Sequence, residues 1–266
     1  MSPVLVTYRE GPVLVLSNNN VAARNALSFE FYTAVTEALH AAAQDASIGA
    51  IVLTGEGGHF CSGGDLRQLA KRRELSVPER RERLEGLHDL IRSVRDCPKP
   101  VIAAVEGAAA GAGLSLAMAC DMLVAAEDAT FTVAYVKVGL TPDGGATAFL
   151  AEFVSRQVLT ELCLTGAPLS GERMHALGAV NRLVASGQVR STALALATQI
   201  SKGPDKAMRS IKQLCRHAMR NSLDEQLELE AQFMVEAMGS DESLEGMDAF
   251  LNKRQPNYIP LRQVSE

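Results

Sequence analysis

An α/β fold is predicted by three features of the 266-residue sequence. Short runs rich in β-branched residues alternate with amphipathic helical stretches. Two of those runs, residues 51–54 and 101–105, pass into glycine-bearing segments that open helices, and from Gln188 onward the pattern is nearly all helix. An α/β core over residues 1–200 is therefore expected to carry a helical region over 201–266.

The elements follow in order. Residues 4–8 and 13–16 read as two strands joined at Gly11-Pro12 in a hairpin-like turn. Ser28 reads as the N-cap of a helix to about Gln44, because Phe31, Val35, Ala38, Leu39 and Ala42 recur on one face. The strand at 51–54 is closed by Gly55-Glu56-Gly57-Gly58, and a long loop holding Gly63-Gly64 follows. The charged stretch 71–83 has a solvated composition. Just after it, Leu84, Leu87, Leu90, Ile91 and Val94 supply the buried face of a helix, which Pro98 and Pro100 end. Residues 101–105 read as a buried strand delivering the chain into a loop from Glu106 to Gly113. An apolar helix to about Ala119, a strand at 121–126, a turn at 141–145 opening another helix, and a last strand at 179–184 complete the alternation. The helical region breaks at Gly203-Pro204 and near Gly239-Ser240.

Composition excludes several classes of function. With 47% hydrophobic and 21% charged residues the chain can bury a large core, unlike a disordered polymer. A net charge of −5 gives no broad basic footprint for nucleic acid. The longest apolar run, 101–120, is interrupted by Glu106 and several glycines, so no membrane span is expected. The first ten residues have neither a basic nor an apolar export region, and the five cysteines are widely spaced with no CxxC. A cytoplasmic protein with reduced thiols is expected. None of the five histidines pairs at i,i+4, so no metal site is expected.

Chemistry concentrates in the two strand–glycine–helix segments, 51–66 and 101–116. Glycine lets backbone N–H groups face a ligand oxygen at close range, and the following helix N-terminus adds partial positive charge. Three readings fit: glycines that merely permit tight packing, a nucleotide cradle, or an oxyanion hole taking one N–H from each loop. Against the cradle, Gly107, Gly111 and Gly113 do not fit G-x-G-x-x-G, and no Lys-Ser/Thr pair follows.

Several blocks together carry a resemblance. They are Arg24-Asn25-Ala26-Leu27-Ser28, His59-Phe60-Cys61-Ser62-Gly63-Gly64-Asp65-Leu66, the segment from Lys99-Pro100 through Ala119-Cys120-Asp121, and Gly139-Leu140-Thr141-Pro142-Asp143-Gly144-Gly145. With Leu164-Thr165-Gly166, residues 176–181 and the tail 245–254, this series resembles the enoyl-CoA hydratase/isomerase (crotonase) superfamily over almost the whole chain. The stretch 134–145 is most similar to members of phenylacetate degradation, the isomerase and the alternative type of oxepin-CoA hydrolase.

The resemblance implies a spiral of ββα turns with a C-terminal helical trimerisation region, and an acyl-CoA thioester as partner. CoA is part of the substrate, and no other cofactor is implied. Trimers, or dimers of trimers, are expected. By position, the backbone amides of Gly64 and Ala112 match the pair that holds the thioester oxygen. Contacts with substrate or CoA are implied for Arg24, Ala26, Ser62, Gly63, Asp65, Leu66, Gly111, Ser115, Tyr135 and Pro142. Phe250 and Lys253 match positions that meet the nucleotide part of CoA, although Lys253 also reads as a cation complementing a helix dipole.

Departures from the family pattern matter equally. Members that hydrate the double bond usually carry two glutamates, and the matching positions here are Ser115 and Tyr135. Neither hydroxyl ionises near neutral pH without strong tuning. Asp143 is the remaining acid, at a position where some members place a working aspartate. By itself, Thr141-Pro142-Asp143-Gly144-Gly145 also reads as a helix cap or Asx-turn. Cys61 reads as a small buried residue and Glu106 as a brace for its loop. The expectation is an enzyme in which Asp143 moves protons beneath the Gly64 and Ala112 amides, as in an isomerase or ring chemistry on an oxepin-CoA. The alternatives are a 2-enoyl-CoA hydratase using Asp143 with a water held by Ser115 or Glu106, and a non-catalytic acyl-CoA-binding subunit.

Overall fold

The computed structural model describes residues 3–262. Met1 and Ser2, which open the stretch read for an export signal, and residues 263–266 of the helical region lie outside the described residues. Strands β1 (Leu5–Glu10) and β2 (Val13–Asn18) form the expected hairpin, pairing antiparallel. Helix α1 (Phe29–Gln44) starts at Ser28, whose side chain accepts from the Phe31 N–H, and buries Phe31, Tyr32, Val35, Leu39 and Ala42. Strand β3 (Ala50–Gly55) then pairs parallel with β2.

The charged stretch 71–83 is solvated, as expected, with no buried residue, but it is helical at both ends: a short helix α2 (Leu66–Arg72) ends within it, and α3 (Val77–Asp96) already includes its second half. Ser76 and Glu79 form a reciprocal capping box with Pro78 in the first turn, the local signal that fixes this earlier start. The burial of Leu87, Leu90, Ile91 and Val94 follows the expected face.

Strand β4 (Val101–Val105) is wholly buried, as its continuous apolar run requires of a parallel strand covered on both faces. The segment after it is not all loop, because residues 108–110 form β5 (Ala108–Ala110) in a second sheet. Next come α4 (Ala112–Met118), β6 (Met122–Ala126) and β7 (Thr130–Thr132). Helices α5 (Ala146–Ala151) and α6 (Arg156–Thr165) lead to β8 (Pro168–Ser170), α7 (Gly171–Ala176) and β9 (Arg182–Val184). The last strand is thus shorter than expected. Residue Asn181 nevertheless continues the pairing, its N–H donating to Leu123 O and its Oδ1 accepting from the Leu123 N–H.

The main sheet has the order β1-β2-β3-β4-β6-β9 and is parallel after the first pair; the small sheet is β5-β7-β8. Helix α8 (Val189–Ile200) packs against β3, β4 and β6. Beyond it lie α9 (Asp205–His217), α10 (Leu223–Met238) and α11 (Asp241–Leu251). Charge ties α9 to the sheet. Lys99 and Asp205 form a buried pair at 2.9 Å, and Lys212 Nζ reaches Asp121 Oδ2 at 2.6 Å and the carbonyls of Cys97 and Lys99.

Candidate active site

Small-sheet pairing brings the two glycine-bearing segments together. The stretch from Phe60 to Cys61 runs alongside β5: Cys61 N–H donates to Ala108 O at 2.9 Å, and Ala110 N–H donates to Cys61 O at 2.9 Å. Close packing then demands a glycine on α4, since a Cβ on Gly113 would lie 2.5 Å from Cys61 O and 2.7 Å from its Sγ. A Cβ on Gly63 would stand 2.7 Å from Ala110 O and 3.6 Å from Ala112 N, so the loops touch where the donor amides lie.

The amides at this junction divide in a useful way. Gly111, at φ +53°, donates its N–H to Thr132 O and forms the N-cap of α4. The next amide, Ala112, and that of Gly64 have no acceptor among the described residues. Shielded donors without partners are costly, so a pair of them at a glycine junction is suited to donate to a ligand oxygen.

The segment 20–27 clamps the first loop from outside. Asn25 donates through Nδ2 to the carbonyls of Glu56 and His59, Ser62 N–H donates to Arg24 O, and Leu27 N–H donates to Gly63 O. Arg24 therefore serves the loop through its backbone, while Ala26 is buried. Asp65 caps α2 by accepting from the Arg67 and Gln68 N–H groups, and Leu66 is exposed at the start of that helix. Glu106 is the expected brace: its carboxylate accepts the Gly187 N–H. Cys61 is buried, and burial pushes its thiol up to about 12, which leaves it an inert packing group.

Asp143 lies in the turn before α5 and meets α4 through Ser115. The helix-cap reading does not hold, because Gly145 is the N-cap of α5 and the Asp143 side chain caps nothing. Instead, Asp143 Oδ1 accepts the Tyr135 hydroxyl at 2.8 Å. Ser115 Oγ donates to Asp143 O at 2.9 Å and lies 3.4 Å from the Tyr135 hydroxyl. The two positions that match the hydratase glutamates thus both serve to seat Asp143. Gly144, at φ +59°, closes the turn: a Cβ there would approach the Ser115 side chain at 3.0 Å. Burial raises the Asp143 carboxyl above its usual range, against the lowering pull of the Tyr135 hydroxyl and the nearby His88 and Arg72 side chains. Burial, followed by the Asp143 charge, also holds Tyr135 in its protonated state well above the ordinary phenol range.

Sequence reasoning missed Tyr32 and Arg72. The Arg72 guanidinium lies beside the Tyr32 hydroxyl, and burial raises Tyr32 to about 12. Phe250 and Lys253 stand apart at the end of α11 and are exposed; Lys253 takes φ +52° just past the helix. Pro142 is half-buried beside Asp143. Among the described residues no cluster of three metal-ligating side chains occurs, and no helix is long and apolar enough to cross a membrane.

Comparison with known proteins gives this geometry a context. The enoyl-CoA hydratase/isomerase family profile matches residues 9–260. A 1,2-epoxyphenylacetyl-CoA isomerase of Escherichia coli is 34% identical over 97% of this chain and 99% of its own length. A probable enoyl-CoA hydratase of Rhodobacter capsulatus is 36% identical over 88% of this chain and 89% of its own. The crystal structure of an enoyl-CoA hydratase from Polaromonas superposes with a TM-score of 0.93 at 44% identity, covering 95% of this chain and 98% of that one.

Proposed function

The chain belongs to the enoyl-CoA hydratase/isomerase family, and on that premise we propose that it is an isomerase-type acyl-CoA enzyme in which Asp143 carries a proton between two carbons of the acyl group. The thioester oxygen lies under the free amides of Gly64 and Ala112. Asp143 takes a proton from carbon, the negative charge moves onto that oxygen, and protonated Asp143 returns the proton to a second carbon. Loss of one such amide donor typically costs about 2.7–4 kcal/mol of barrier. The observation that carries this reading is the single acid: Ser115 and Tyr135 hold Asp143 rather than supplying carboxylates of their own. The same reading needs no cofactor beyond the CoA of the substrate. It favours an aromatic or ring-derived acyl group of the kind named for the E. coli relative, and the unpaired cysteines fit a cytoplasmic setting.

The helical region supports a homotrimer or a dimer of trimers. Leu223, Leu227, Met234 and Met238 leave one side of α10 apolar and exposed, with Met247, Phe250 and Leu251 on α11, and a second copy of the chain would cover them. Phe250 and Lys253 would then meet the nucleotide part of CoA at that boundary.

The test is incubation with 2-enoyl, 3-enoyl and ring-bearing acyl-CoA esters in deuterated water, followed by mass spectrometry. Deuterium incorporation or double-bond migration without net addition of water is expected. Net hydration would replace this reading with that of a hydratase, and binding without any exchange would leave an acyl-CoA-binding subunit.

A further inference from the structure

Helix α2 brings Leu69 and Arg72, one turn apart, onto the same face. That face looks onto the site, because the Leu69 side chain lies about where a Cβ on Gly64 would meet it, at 3.0 Å. Across from α2, α3 presents Gly86 against the Tyr32 ring and Leu87 against Gly144, the residue after Asp143. Arg72 therefore stands between the first donor loop, Tyr32 and the Asp143 turn. It is half-buried, and among the described residues it forms no ion pair.

A half-buried guanidinium that forms no ion pair keeps several of its five N–H donors for a further oxygen acceptor. It is well suited to an oxygen on the ligand, because charge-assisted hydrogen bonds to a carboxylate, carbonyl or hydroxyl oxygen replace the lost hydration. We infer that Arg72, on the site-facing side of α2, is the specificity-determining residue for the acyl group, selecting chains that carry an oxygen acceptor remote from the thioester over plain hydrocarbon chains. This rests on the acyl-CoA reading above and names the substrate class of the same site. Arg72 touches the acyl group and takes no part in the proton transfer.

The experiment compares 2-enoyl-CoA esters of equal length ending in methyl, hydroxymethyl or carboxylate, on wild type, Arg72→Leu, Arg72→Lys and, as a control, Arg73→Leu. Arg73, the C-cap of α2, is exposed. Wild type is expected to favour at least one oxygen-bearing ester in kcat/KM by about tenfold or more. Arg72→Leu removes that preference, Arg72→Lys keeps part of it, and Arg73→Leu leaves it intact. The carboxylate and hydroxymethyl arms tell an anionic from a neutral acceptor. The inference is overturned if wild type turns over the methyl ester as well as either oxygen-bearing one, or if Arg72→Leu lowers all three equally. If no ester reacts, the proposed isomerase reading fails, and the same preference is read as Kd by calorimetry. Equal Kd values then overturn the inference too, and the wild-type comparison stands even if the leucine variant does not fold.

Discussion

The Tyr135 hydroxyl donates to Asp143 Oδ1 at 2.8 Å, which fixes one carboxylate oxygen, while the other has no hydrogen-bond partner among the described residues. Ser115 holds the same residue by its backbone carbonyl, so Asp143 is fixed through both its main chain and its carboxylate. The proton transfer proposed for Asp143 needs this constraint, because misplacement by about 1 Å can cost on the order of a hundredfold in rate.

Asp143→Asn should lower kcat by about a hundred- to ten-thousandfold while leaving CoA-ester binding intact, read by steady-state kinetics and calorimetry. Its Tm should equal or exceed that of wild type at neutral pH. Burial makes the carboxyl pKa higher in the folded chain than in the unfolded one, so its ionised form opposes folding above that pKa, and the amide ends this cost.

The pH–rate profile should lose activity toward acid with a midpoint above the usual carboxylate range, because the working form is ionised and burial raises the pKa. Tyr135→Phe removes a donor that favours the carboxylate. It should move that midpoint further up and lower kcat by about tenfold or more. A midpoint that stays in place would separate Tyr135 from the group whose ionisation limits the rate.

Gly113→Ala drives a methyl into Cys61 O and Sγ. Overpacking of this kind costs about 1–3 kcal/mol, so urea unfolding should show that loss. Turnover should fall by more than the folded fraction explains, since the two donor loops part.

Asp205→Ala leaves Lys99 charged and buried without its partner. A loss of about 3–5 kcal/mol is expected, measured by chemical denaturation. An unchanged unfolding midpoint would mean that α9 is not anchored through this pair.

Leu227→Asp combined with Met238→Asp places charge on the exposed apolar side of α10. Sedimentation should then give the mass of one protomer where wild type gives a multiple of it. A wild type that sediments as a single chain would remove the trimer from the account.

The sequence by itself determined the elements and the family, because both are written locally. Periodic apolar positions mark α1, continuous apolar runs mark β3 and β4, and contiguous blocks such as residues 59–66 and 139–145 carry the resemblance. Only through that resemblance did the sequence point to Asp143, the acid remaining where Ser115 and Tyr135 stand at the glutamate positions; read locally, the same turn looks like a helix cap. What only the tertiary structure decided lies between segments distant in sequence. The pairing of Cys61 with Ala109 joins the donor loops, Tyr135 and Ser115 turn out to hold Asp143, and Arg72 comes to rest beside Tyr32. Three-residue strands such as β5 and β7 have too few positions to show a period, and they exist because they pair with each other. A side chain's role in such a site is set by what faces it across the fold, and neighbours in the chain carry no record of that.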